Sequence, residues 1–145
     1  MNCILIIEGS KFDVNGFLKE TGLSPYEKHL KGDKKPFKKL NKPMKYETSG
    51  CRFDLSKADF NDFEAQRNDV ILFLNQNYEK LEKLNGFGLE NKEIPLIGFA
   101  IENQMADFWC QTEYLQPELL KLTGNLNIGI EISLYHPATD ENETE

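Results

Sequence analysis

Residues 59–84 read as one uninterrupted amphipathic helix, and a chain that carries such a helix must build its core around it. Apolar side chains recur at Phe60, Phe63, Val70, Ile71, Leu74, Tyr78, Leu81 and Leu84. That spacing gathers them into one broad stripe. Asp62, Gln66, Asp69, Glu79, Glu82 and Lys83 fall on the opposite face. Ser56 and Asp59 are both N-cap types, and Asp62 adds negative charge beside the positive end of the helix dipole. Asn85-Gly86 supplies a left-handed stop. A stripe of about seven turns needs a large apolar partner. The strand-like segments on either side of the helix are the candidates.

The first of those segments, residues 1–8, is apolar at almost every position, as a strand covered on both faces or central in a sheet would be. Residues 12–23 follow as a short helix, with Val14, Phe17, Leu18 and Thr21 on one side and Gly22 as its stop. Residues 26–31 and 46–55 read as strands, and the alternation changes phase near Gly50, which predicts a bulge there. Beyond the long helix, residues 94–101 and 107–114 are strand-like. Pro117 then opens a short helix that ends at Gly124. Residues 127–135 alternate most cleanly, with Ile128, Ile130, Ile132 and Leu134 on one face. A weak internal repeat lays the Phe17-to-Gly22 helix end on the Leu119-to-Gly124 one, each between two strands. Such strand–helix–strand units generally end this way, so the alternative to true pseudo-symmetry stays open. The pattern predicts an α+β fold: a single layered domain over residues 1–138. It would have a mostly antiparallel sheet of about six strands, with one long and two short helices on one face. Residues 139–145 read as a disordered acidic tail.

Residues 32–45 are different in kind. Eight Lys and one Asp lie between Lys28 and Lys45, a balance of +7 in a chain of net charge −7, so the remainder carries −14. With Pro36 and Pro43 among the lysines, the segment reads as a mobile, solvated loop. Lys34, Lys35, Lys38 and Lys39 are candidate anion-binding residues, since clustered lysines neutralise phosphates. The loop lacks Arg and holds one aromatic, Phe37, so base readout is poorly supplied and nucleic acid is not the expected partner. A lid that orders on partner binding is the third reading.

Several pieces, in this order, resemble the DUF4279 family of bacterial domains of unknown function. They are Thr21-Gly22-Leu23-Ser24-Pro25, Gly32-Asp33 before a basic loop, and Pro117-Glu118-Leu119-Leu120 before a strand closing in Ser133-Leu134-Tyr135. They span about residues 3–135. Where members of that family often carry a Trp after the basic loop, this chain has Tyr46. The resemblance implies a small bacterial α/β protein and brings no activity and no catalytic residue.

No catalytic motif, nucleophile elbow or phosphate loop is present in the sequence. Cys51 with His136 could form a nucleophile–base pair only if folding brought them together. Cys3, Cys51 and Cys110 match no zinc spacing, so the thiols read as small core residues in a reducing cytoplasm. No metal and no cofactor are expected. No apolar run approaches the roughly 20 residues of a membrane span. The first residues lack a signal peptide's basic start and cleavage site. The carboxylates Asp59, Asp62, Glu64 and Asp69 make either a solvated helix face or a recognition surface for a basic partner. Trp109, with Phe108, Tyr114 and Phe99, is either a core aromatic or a partner-facing one. The leading expectation is a non-enzymatic cytoplasmic binding protein, in its most specific form an immunity (antitoxin) protein neutralising a basic nuclease-type toxin. Asp62, Glu64, Asp69 and Trp109 are its candidate partner-binding residues. A small-molecule or phosphate-ligand module using the Lys-rich segment, and an unrecognised enzyme, are the alternatives.

Overall fold

A computed structural model describes residues 1–39, 41–106 and 109–136. Along the chain run β1 (Cys3–Gly9), α1 (Val14–Thr21), β2 (Glu27–His29), β3 (Lys34–Lys39), β4 (Lys42–Lys45) and β5 (Ser49–Asp54). Then come α2 (Phe63–Gln76), α3 (Tyr78–Glu82), a 3-10 turn (Lys83–Gly86), β6 (Leu96–Glu102), α4 (Pro117–Asn125) and β7 (Gly129–Tyr135). The main sheet has five strands in the order β2-β5-β1-β6-β7, and β3 and β4 form a separate two-stranded sheet. The fold is α+β, as the sequence pattern predicts. The sheet is mixed, because β6 and β7 run parallel while the other pairs are antiparallel. Expected strand residues 107–114 divide: 107 and 108 lie outside the described residues, and 109–114 are not strand. The 139–145 tail also lies outside them.

Alternation places the core. Cys3, Leu5 and Ile7 of β1, Cys51 and Phe53 of β5, and Ile97, Phe99 and Ile101 of β6 are all buried on one sheet face. Phe17 of α1, Val70 and Leu74 of α2, Leu81 of α3 and Leu119 of α4 close over that face in one cluster. Ile128 is buried, and Ile130 and Ile132 pack against the cluster. Leu134, near the end of an edge strand, is 53% exposed, so the fourth residue of that expected face lies outside the core.

The predicted long helix is three pieces. It starts later, at the Asp62 cap, whose side chain accepts from Ala65 N at 3.0 Å. It breaks at Asn77 (φ −117°, ψ 16°), whose side-chain amide donates back to Phe73 O at 2.9 Å. An Asn that bonds its own preceding turn competes with helix continuation. Gln66 is a second correction: it sits at the centre of the buried stripe, fully enclosed, rather than on the polar face. Its amide nitrogen donates to Asp59 O (2.9 Å) and Ala100 O (3.2 Å), while its buried amide oxygen has no partner among the described residues.

The Lys-rich segment is a hairpin, not an unstructured loop. β3 and β4 pair with Lys34 opposite Lys45 and Lys39 opposite Lys42, with an irregularity between Lys34 and Lys38. The turn carries Asn41 at φ 59°, a conformation Asn tolerates. Both strands of such a ribbon are edges, so Pro36 and Pro43 can be accommodated. Its base is tied by Gly32 N to Tyr46 O (2.8 Å) and Tyr46 N to Asp33 O (2.9 Å). Tyr46 stacks on the buried His29 ring at 3.9 Å.

Gly50 makes no bulge, since the β1–β5 register runs through it unbroken. Glycine is needed there for close approach: a Cβ would meet Ile7 O at 2.8 Å and His29 Cε1 at 2.9 Å. The two strand–helix–strand units share one device. Buried Thr21 and Thr123 each donate their hydroxyl back four residues, to Phe17 O (2.8 Å) and Leu119 O (2.9 Å). The units differ otherwise. α1 stops at left-handed Gly22, whereas α4 runs through Gly124 to Asn125. β5 lies between β1 and β2, while β6 and β7 are adjacent.

Candidate functional site

The connection from β6 to α4 carries Trp109, the most exposed large hydrophobic side chain of the described residues. Trp109 is 101% exposed, and Met105 and Tyr114 on the same connection are also exposed. Trp109 is therefore not a core aromatic. Gln111 closes the connection on itself: its amide oxygen accepts from Gln104 N (2.9 Å), and its amide nitrogen donates to Glu102 O (3.0 Å) and Glu113 Oε1 (2.9 Å). Asn103 Oδ1 accepts from Met105 N at 2.9 Å. A loop packed by its own side chains can present a residue without ordering it anew.

Arg67, one of only two arginines in the chain, ties this connection to α2. Its Nη1 donates to Tyr114 O. Its guanidinium lies 4.8 Å over the Phe63 ring and 5.8 Å from the Tyr114 ring centre. Gln116 Nε2 to Asn68 Oδ1 (3.2 Å) and Asn75 Nδ2 to Glu118 Oε1 (3.3 Å) continue the seam toward α4. Sequence reasoning missed Arg67 and Gln111. The only local signal was an Arg inside a helix face rich in carboxylates.

The expected acidic surface divides on inspection. Asp62 and Glu64 are exposed at the start of α2, the helix that Arg67 binds to the Trp109 connection. Asp69 is half-buried and accepts from Ser56 Oγ at 2.5 Å. Five residues of helix place Glu64 roughly 140° around the axis from Asp69, so these carboxylates do not form one face. Asp62 is the helix cap. Replacing it with Ala should lower stability by about 1 kcal/mol, with denaturant melts as the check. Charge reversal at Asp62 or Asp69 would thus read folding, and Glu64→Lys is the cleaner probe of binding.

The lysines stand on the separate β3–β4 hairpin, in the connection between the paired strands β2 and β5. Lys35 Nζ lies 5.3 Å over Tyr46 and 5.8 Å over Phe37. Lys34 is exposed, and Lys38 and Lys39 lie on β3 next to the turn. Cys3 and Cys51 are buried on adjacent core strands and Cys110 is exposed. Burial pushes the Cys3 and Cys51 thiols up to about 12, with Asp54 and Asp69 adding to the rise at Cys3. Such thiols are poor nucleophiles. Among the described residues no three His, Cys, Asp or Glu side chains converge as ligands for a metal ion, and no helix is long and apolar enough to cross a membrane.

Comparison with protein families matches residues 1–137 to the domain of unknown function DUF4279. The chain belongs to this family. No curated protein and no solved structure matched it. The DUF4279 match covers every element from β1 through β7, including the Trp109 connection and the Lys hairpin.

Proposed function

We propose that this DUF4279 protein is a non-enzymatic binding protein that takes a protein partner on the β6–α4 connection, with Trp109 as anchor. The observation that carries this reading is a fully exposed Trp, flanked by exposed Met105 and Tyr114, on a connection braced by Gln111 and Arg67. Trp, Tyr and Met are residue types enriched at interface centres, and a braced loop loses little entropy on docking. Exposed Glu64 and Glu113 supply a carboxylate rim. In its specific form the partner is a basic nuclease-type toxin and this protein is its cytoplasmic immunity protein. The chain's net charge of −7 supports that form, through faster encounter with a basic surface.

Affinity purification with mass spectrometry, run in parallel on wild type and Trp109→Ala, tests the reading. Wild type should retain a basic protein, and the variant should lose its affinity by about thirtyfold or more, the effect of a central hot spot. Equal recovery by both would reject the anchor. Trp109 is also the chain's only Trp, so its emission should be that of a water-exposed indole and should shift to the blue when the partner binds.

A further inference from the structure

A concavity, away from the core, opens where β6 and β7 end and β1 begins. It has a volume of about 600 Å³, and Asp59, Phe60, Glu102 and Tyr135 form much of its lining, with Asn2, Asn61 and His136 beside them. The carboxyl ends of parallel strands are where side chains of separate elements converge on one space, and the volume suits a small molecule.

The wall is fixed before any ligand arrives. The segment from β5 to α2 crosses this end of the sheet and is pinned at three successive residues. Asn2 Nδ2 donates to Ala58 O (3.1 Å), Gln66 Nε2 to Asp59 O (2.9 Å) and Glu102 N to Phe60 O (3.0 Å). Phe60 and Tyr135 meet edge to face at 5.4 Å. A pre-formed site spares a ligand the cost of ordering it.

The lining has a definite chemistry. Asp59 and Glu102 bring two carboxylates, and among the described residues no Lys or Arg lines the cleft. The Asn2 amide nitrogen is engaged with Ala58, which leaves its carbonyl oxygen to accept. The rings of Phe60 and Tyr135, with Asn61 and His136, complete the wall. Acceptors, negative charge and π-faces together select a cation that is also apolar. A bare metal ion is a poor match, because these carboxylates do not converge with a third ligand among the described residues. We infer that this cleft binds a small organic cation, its alkylammonium group lying against Phe60 and Tyr135 and neutralised by Asp59 and Glu102.

An amide NMR titration of the full chain with choline tests this, with neohexyl alcohol as the uncharged isostere. Choline should shift the resonances of Asn2, Asn61, Glu102 and Tyr135, and the isostere should bind about tenfold more weakly. The Asp59→Asn/Glu102→Gln double variant should weaken choline by about tenfold or more while keeping the wild-type spectrum elsewhere. Either of two results would overturn the inference. One is no shift at these residues with choline or butylammonium at about 50 mM, far above a millimolar Kd. The other is equal binding of choline and its neutral isostere, which needs no variant to read.

Discussion

Replacing Leu74 with Ala should destabilise the fold by about 2–5 kcal/mol. Leu74 is completely buried in the stripe that α2 lays on the sheet, beside Phe63, Gln66 and Val70. The truncation removes transfer energy and leaves a cavity between elements that cannot fully collapse. In a chain of this length the thermal midpoint should fall by roughly 5–15 °C. Leu72, two residues earlier, is 56% exposed, and its truncation should change stability by less than about 0.5 kcal/mol. Denaturant melts of both variants make the comparison. A loss below about 1 kcal/mol for Leu74→Ala would mean that the stripe is not the core.

The thiols should separate by orders of magnitude in reactivity. With pKa values pushed up to about 12, Cys3 and Cys51 hold the neutral form. At pH 8 their thiolate fraction is about one in ten thousand, and the thiolate is the reactive species. Burial in β1 and β5 adds a steric block. Titration of the folded protein with an aromatic disulfide reagent should therefore show one fast thiol, Cys110, and two that react only on unfolding. Because the unfolded chain ionises these thiols near 9, raising the pH above that value should destabilise the fold and speed the slow pair through unfolding. Three equally fast thiols at pH 8 would show that β1 and β5 open readily.

The proposed binding surface changes how charge variants should be interpreted. The acidic helix start suggested from sequence a row of carboxylates free to meet a partner. In the fold Asp62 caps α2 and Asp69 holds Ser56, so two of the three contribute to stability. Exposed rim charge remains at Glu64 and Glu113. Its influence on association should fade as salt shortens the Debye length, to about 3 Å near 1 M.

The sequence by itself determined what local rules govern. The apolar run of β1, the alternation of β7, the Gly22 stop of α1 and the Pro117 start of α4 depend on neighbours within a few residues, and each was legible. So were the α+β class and the DUF4279 resemblance, because they rest on the order of such local signals. Only the tertiary structure decided what depends on residues far apart. Gln66 reads as polar surface until Ala100 O, 34 residues on, accepts its amide. Tyr114 reads as strand until Arg67, 47 residues earlier, binds its carbonyl. One wall of the cleft is pinned where Asn2 reaches Ala58 across 56 residues. Periodicity cannot carry these facts. A side chain's polarity says that it needs a partner, not whether water or a distant backbone carbonyl will be that partner.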